Sequence, residues 1–175
     1  MTTYAEITAE DELVIERLLP GPIERVWDYL TDGDKRRDWL AGGRTDPSPG
    51  GAIVFEFDHS RLSDSPPPEK YADQQVVTMT GEVLVYEPPH RLAFTWPEKD
   101  APDARVTITL AAEGGKVRLR LVHSGLGGPD YRIGVSAGWH GHLDMLGNAL
   151  AGDPRGDFWV RHMALEKTYK ERLGL

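Results

Sequence analysis

The chain has 175 residues, of which 39% are hydrophobic and 27% are charged, a composition typical of a single soluble globular domain. It contains no cysteine, which excludes disulfide bonds, thiol nucleophiles and cysteine-ligated metals. Its 28 acidic and 20 basic residues give a net charge of −8, which argues against nucleic acid and anionic membranes as main partners. No apolar run approaches the roughly 18 residues of a membrane span, and the acidic start does not resemble a signal peptide, so we expect a cytoplasmic protein.

The first part of the chain predicts a strand followed by two short helices. Apolar residues alternate over residues 11–19, which indicates a β-strand. Gly21 and Pro22 end this strand, and a proline at the first helical position is a start signal. A helical stripe then follows, formed by Ile23, Val26, Trp27 and Leu30. We expect a second short helix over residues 34–40, with Trp39 as its anchor.

The middle of the chain has the alternation of an antiparallel sheet. A strand over residues 52–59 places four side chains on one face: Ile53, Phe55, Phe57 and His59. Residues 60–75 contain three consecutive prolines and predict a long surface loop. Two hairpins follow, with predicted strands at 76–87, 92–96, 105–110 and 117–123. Because short turns join these strands, we expect an antiparallel sheet of about six to seven strands.

Two helical segments close the chain, a long one over residues 131–150 and an amphipathic one over residues 157–173. The long helix cannot bury its apolar stripe alone, so it must lie across the concave face of the curved sheet, with a cavity between them. The prediction is therefore an α+β grip over residues 1–175, with its core at about 11–152 and a helical extension at 153–175. The extension could pack on its own domain or on a second subunit, and its apolar residues are Phe158, Trp159, Leu165 and Tyr169. Both a monomer and a homodimer therefore remain open.

Four motifs occur in an order that resembles a known superfamily: GPIERVWDYLTDGDKRRDWL, PGGAIVFEF, GEVLVYEPPHRLAFTW and GWHGHLDMLGNALAG. They are similar to the START-like (SRPBCC, helix-grip) superfamily, and within it to bacterial homologues of the C-terminal domain of heat-shock-protein-90 ATPase activators, a group associated with the stress response. The resemblance implies a shielded pocket for a hydrophobic or amphipathic small molecule. It implies no shared catalytic set and no cofactor. The loop at 60–75 and the helix after Gly152 depart from the usual pattern, and either could close the pocket or form an interface.

Helical geometry separates the two histidines of the segment GWHGHLDMLGNAL. A narrow stripe faces the sheet, formed by Trp139, Leu143, Leu146 and Leu150. His142 lies at the edge of this stripe, whereas His140 and Asp144 lie on the opposite flank and are expected to form a surface or half-exposed pair. The two histidines are about 160° apart and cannot bind one metal ion.

His59, His123 and His142 are the candidate catalytic residues, because each is in phase with inward-facing residues of a separate element. A pocket histidine is the natural general base. For His59 and His123, both at strand ends, a hydrogen bond to a nearby backbone carbonyl is favoured over a catalytic role. Three histidines could also bind zinc, but the spacing does not support it, and we predict no metal site. The predicted ligand-binding set is Trp39, Phe55, Phe57, Phe94, Trp96, His123, Trp139, His142, Leu143 and Leu146.

Three functions remain open at this point. Binding of a hydrophobic or amphipathic small molecule, as a carrier or sensor, is favoured because aromatic residues dominate the predicted wall and no catalytic motif is present. The second is stimulation of a heat-shock-protein-90 homologue through a surface, which follows from the resemblance. The third is an enzyme of the cyclase or hydrolase type that uses a pocket histidine. Catalysis is the less favoured interpretation.

Overall fold

Seven strands and four helices make up the computed structural model, which describes residues 3–175. The strands are β1 (Glu6–Ile7), β2 (Leu13–Pro20), β3 (Ala52–Asp58), β4 (Val76–Glu87), β5 (Arg91–Thr95), β6 (Arg105–Glu113) and β7 (Lys116–Ser124). The helices are α1 (Ile23–Thr31), α2 (Gly33–Arg36), α3 (Pro129–Ala151) and α4 (Phe158–Leu173). Short 3₁₀ turns lie at His59–Arg61 and Glu69–Gln74.

The strands form one antiparallel sheet in the order β1-β2-β7-β6-β5-β4-β3. Consecutive strands from β3 to β7 are neighbours, as short turns require. A register shift in β4 between Val83 and Val85 is a β-bulge, which bends the strand and increases the twist of the sheet. The α+β helix-grip prediction, with a curved antiparallel sheet and a long C-terminal helix, is confirmed.

Helix α3 lies across the sheet and buries the predicted stripe. Trp139, Leu143, Leu146 and Leu150 are each at most 3% exposed. The opposite flank is also covered, because α4 packs against it. His140 does contact Asp144, with 3.5 Å between Nε2 and Oδ2, but its side chain is only 2% exposed, so the expected surface position of His140 is wrong.

Helix α4 packs on its own chain. Phe158, Trp159 and Tyr169 are buried in the main core, and Leu165 packs partly buried against it. Burial of these four side chains contributes several kcal/mol, at about 25 cal/mol for each Å² of apolar surface removed from water. The apolar face of the extension is therefore covered within the described residues.

The start of α4 is tied to the loop that precedes β4. Asp157 is the N-cap, and its carboxylate accepts hydrogen bonds from the backbone N–H groups of Val160, Asp64 and Ser65 and from the Ser63 hydroxyl. Although burial acts in the opposite direction, these hydrogen bonds lower the pKa of Asp157 below its usual range. These hydrogen bonds therefore hold the loop and the start of α4 together.

The boundaries differ from the sequence predictions in three places. The two-residue strand β1 was not expected, because so short a strand carries no periodic signal. Helix α2 ends at Arg36 instead of continuing to residue 40, although Trp39 is buried as an anchor, at 1% exposed. Strand β3 ends at Asp58, so His59 begins a 3₁₀ turn instead of ending the predicted strand, and the loop at 60–75 contains the second 3₁₀ turn. Within residues 3–175 no helix combines the length and the apolar character needed to cross a bilayer.

Candidate functional site

A solvent-connected cavity of about 630 Å³ lies between the sheet, the first half of α3, the start of α4 and the loop before β4. This volume falls within the usual range for small-molecule sites, roughly 300–1,000 Å³. Seven aromatic side chains line it: Phe57, Tyr71, Trp96, Tyr131, Trp139, Phe158 and Trp159. The cavity is thus an incompletely filled part of the aromatic core.

Five residues of the predicted site line this cavity: Phe57, His59, Trp96, Trp139 and His142. Six others are buried outside the lining: Trp39, Phe55, Phe94, His123, Leu143 and Leu146. Phe55 shows their position, since its ring centroid lies 5.0 Å from that of Trp96 and 5.3 Å from that of Phe94. These residues support the wall from behind.

His59 and His142 are held in the same tautomer. Nδ1 of His59 lies 2.9 Å from the Gln74 carbonyl oxygen, and Nδ1 of His142 lies 2.7 Å from the Trp39 carbonyl oxygen. A carbonyl oxygen only accepts, so each Nδ1 carries the proton and each Nε2 is a hydrogen-bond acceptor. Burial lowers the pKa of both histidines, which keeps them neutral near pH 7. The backbone interaction expected for His59 is confirmed.

His123 has a different environment from the one expected. It is fully buried, and its Nδ1 accepts a hydrogen bond of 2.9 Å from Nε1 of Trp139. Nε2 therefore carries the proton and donates to the Tyr131 hydroxyl at 3.3 Å. The prediction of a backbone partner for His123 is wrong, because the side chains of Trp139 and Tyr131 occupy its two ring nitrogens. Burial lowers the pKa of His123 from 6.5 to about 4.

Phe158 stands among three histidines. Its ring centroid lies 4.2 Å from that of His142, 5.1 Å from that of His59 and 5.3 Å from that of His162, in stacked arrangements. The rings of His59 and His142 are also neighbours, with their centroids 5.8 Å apart. Within residues 3–175 no three histidine, aspartate or glutamate side chains are grouped to hold a metal ion.

His162 also lines the cavity, although the sequence analysis did not predict it as a site residue. It is 4% exposed, and neither ring nitrogen has hydrogen-bond geometry to any group in residues 3–175. Its Nε2 lies 3.2 Å from Oε1 of Glu166, which is close enough for an ion pair but poorly aligned for a hydrogen bond. Glu166 also accepts from Lys70 and Tyr71 of the loop. Against the effect of burial, these contacts lower the pKa of Glu166 to about 2.

One signal was available for the missed part of the wall. Phe158, Trp159 and His162 follow the spacing i, i+1 and i+4, which places them on one face of α4. The spacing did not indicate what this face packs against. In the structure it faces the cavity. Tyr71 lies in an aperiodic loop, so no pattern in the sequence indicated it.

Acidic residues surround the mouth. Asp73, Glu98, Asp100 and Asp130 line the cavity, and Lys99 is the basic residue among them. All five are exposed. Glu98 accepts a hydrogen bond from the Trp96 indole, whereas the three aspartates have no ion-pair partner within residues 3–175.

Comparison with known proteins places this fold and its motifs in a family. Residues 20–151, well over half of the chain, match the family described as Activator of Hsp90 ATPase homolog 1-like protein. The chain belongs to this family. A search of curated proteins found no match.

Solved structures that resemble this family member cover between 79% and 98% of its chain. A Bordetella parapertussis protein, known from a solution NMR structure, is 38% identical with a TM-score of 0.82, over 98% of this chain and 91% of that one. CalU16 from Micromonospora echinospora is 20% identical with a TM-score of 0.69, over 98% and 96%. The Aha1 dimer from Colwellia psychrerythraea is 16% identical with a TM-score of 0.59, over 79% and 95%. The last two show the fold alone.

Proposed function

We propose that this protein binds a hydrophobic or amphipathic small molecule in the cavity between the sheet, α3 and α4. The observation that carries the proposal is the 630 Å³ cavity itself, with seven aromatic side chains in its lining and its charged side chains at the exposed mouth. An apolar, concave surface with a small number of polar groups is the usual form of a small-molecule site. Carriage or sensing of the ligand fits this arrangement.

The two predicted histidines that line the cavity support binding over acid–base catalysis. His59 and His142 each use their N–H to hold a backbone carbonyl, and neither is oriented by a carboxylate. A general base needs a pKa near the working pH, whereas burial moves the pKa of both imidazoles downwards. Their free Nε2 atoms fit the role of hydrogen-bond acceptors that orient a ligand.

Gly138 provides a direct test, because a side chain there would enter the cavity. It lies on α3 in the lining, and a Cβ added to it would meet its nearest non-local atom, Cε1 of His162, only at 4.0 Å. Gly138→Leu should therefore fill the cavity without a backbone clash, and loss of a helical glycine favours folding. Gly147→Ala is the control, since Gly147 is on the same helix outside the cavity.

The experiment measures binding of N-phenyl-1-naphthylamine, a neutral fluorescent probe, to the wild-type protein and both variants. We expect the wild type and Gly147→Ala to bind equally and Gly138→Leu to bind at least about tenfold more weakly. Equal binding by Gly138→Leu, with the fold intact by circular dichroism, would refute the cavity as the binding site. Native mass spectrometry of the purified protein would identify a ligand that co-purifies.

The family description supports a second candidate, stimulation of the ATPase of an Hsp90 homologue through a surface. This function would not need the cavity. Gly138→Leu should then stimulate ATP hydrolysis by a bacterial Hsp90 homologue as well as the wild type does. Absence of stimulation by the wild-type protein would remove this candidate and leave the cavity proposal unchanged.

A further inference from the structure

The mouth of the cavity carries an excess of negative charge. Four carboxylates line it against one ammonium group, that of Lys99. The three aspartates among them lack ion-pair partners in the described residues, in contrast to carboxylates elsewhere on the surface such as Asp28 and Asp34. An unpaired cluster of this kind creates a negative local potential at the entrance.

Deeper polar groups in the cavity are acceptors or lack a partner. His59 and His142 are 8% and 6% exposed, and the Nε2 atom of each forms no hydrogen bond within residues 3–175 while its Nδ1 is committed to a carbonyl. His162, 4% exposed, has no hydrogen-bonded ring nitrogen in the same range. Buried polar groups are normally satisfied. The unpartnered nitrogens of His162 therefore indicate a ligand group beside them, while the Nε2 atoms of His59 and His142 are free hydrogen-bond acceptors.

Two helix N-termini border the same cavity and would by themselves favour an anion. Each is already compensated by an aspartate. Asp130 lies in the first turn of α3, and the Asp157 carboxylate caps α4. Aromatic side chains in the lining add favourable interactions with a cation, because the face of an aromatic ring carries partial negative charge.

We propose that the cavity selects a cationic amphiphile, an apolar or aromatic body that carries a protonated or quaternary amine, over neutral and anionic amphiphiles of the same size. The proposal rests on the proposed function, because it names the class of ligand for that site. The apolar body occupies the aromatic interior. The amine lies towards the mouth, where the carboxylates are.

The size of the preference follows from simple electrostatics. For a cation held roughly 8 Å from each carboxylate in a water-like dielectric, each carboxylate raises the affinity about twofold. The net excess of three negative charges therefore raises it about tenfold over a neutral analogue and lowers it by a similar factor for an anion. Salt should reduce the difference, because these groups are exposed.

The test compares three probes that share a ten-carbon chain, each used below its micelle concentration: decyltrimethylammonium, decyl glucoside and decyl sulfate. Binding is followed by tryptophan fluorescence at low salt in the full-length protein. We expect decyltrimethylammonium to bind about tenfold more tightly than decyl glucoside and about a hundredfold more tightly than decyl sulfate. Gly138→Leu should weaken all three.

A matched pair of charge variants separates the local effect from the net charge. One variant removes the charges at the mouth: Asp73→Asn, Asp100→Asn and Asp130→Asn. The control removes three exposed acids elsewhere: Glu10→Gln, Glu87→Gln and Glu171→Gln. We expect only the first variant to lose the preference for the cation.

The outcomes distinguish the two proposals. If none of the three probes binds, the proposed cavity function fails and the charge preference fails with it. If all three bind with equal affinity and Gly138→Leu weakens them equally, the cavity function stands and the cationic preference is refuted. Loss of the preference in both charge variants alike would also refute it, because the effect would then come from the net charge and not from the mouth.

Discussion

Phe158→Ala tests whether α4 forms a fixed wall of the cavity. Phe158 is 2% exposed, its ring stacks on three imidazoles, and its backbone N–H donates to the Leu62 carbonyl at 2.9 Å. Truncation of a fully enclosed phenylalanine costs about 3–5 kcal/mol through lost burial and the cavity left behind. Phe158 borders an existing cavity, so the new space is only partly closed. We therefore expect a loss near the lower limit, about 3 kcal/mol in the free energy of unfolding.

Urea denaturation followed by circular dichroism and tryptophan fluorescence measures this loss. Val160→Ala is the control, since Val160 is on the same helix but 62% exposed, and the change should leave stability unaltered or slightly raised because alanine favours helix. A loss below about 1 kcal/mol for Phe158→Ala would contradict the reasoning, because a docked and buried aromatic ring cannot be removed so cheaply. Hydrogen exchange of the α4 amides would then locate the undocked segment.

Three further predictions concern the groups that stabilise the fold. Asp144→Asn should lower the free energy of unfolding by about 3 kcal/mol, because it breaks the ion pair with the buried Arg17. Asp34→Asn, in an exposed ion pair, should leave the free energy of unfolding nearly unchanged. Urea denaturation measures both. For His123, whose pKa falls from 6.5 to about 4 on folding, the unfolded chain takes up a proton first as the pH is lowered. His123 should therefore contribute full stability above about pH 6.5 and lose up to about 1.4 kcal/mol per pH unit towards pH 4, and His123→Gln should reduce the measured slope by that contribution; identical slopes would contradict the assignment. Gly33→Ala should destabilise despite its helical position, because the new Cβ would lie 1.8 Å from a backbone oxygen, whereas Gly147→Ala has room and should stabilise, both measured by melting temperature.

The periodicity of apolar residues predicted which side of a helix or strand is buried where that element packs against a single neighbour. The stripe from Trp139 to Leu150 faces the sheet as its helical spacing requires. His140 was misplaced because a helical wheel describes directions around one axis and cannot show whether a second helix covers the other flank. Burial of His140 depends on Tyr169, which lies 29 positions later and contacts its Nδ1 at 2.8 Å. Contacts between distant elements of this kind have no local signal.

In the candidate site, too, the sequence predicted which histidines face inward but not which groups they contact. His59 and His142 could be assigned to the interior from their phase with Phe57 and Trp139, and both line the cavity. The tautomers could not, because they depend on which carbonyl each Nδ1 reaches after folding. The partner of His123 depends on a contact between β7 and α3 that no spacing encodes.

The family match covers only part of the cavity wall, because α4 lies beyond the matched residues. The matched region ends at residue 151, whereas Phe158, Trp159 and His162 come from the segment beyond it. The Bordetella parapertussis relative aligns over 98% of this chain, so the alignment includes most of that segment. Ligand preference should therefore depend on α4 as well as on the shared motifs, since the motifs supply Phe57, Trp96 and Trp139 to the lining and α4 adds the aromatic face that begins at Phe158.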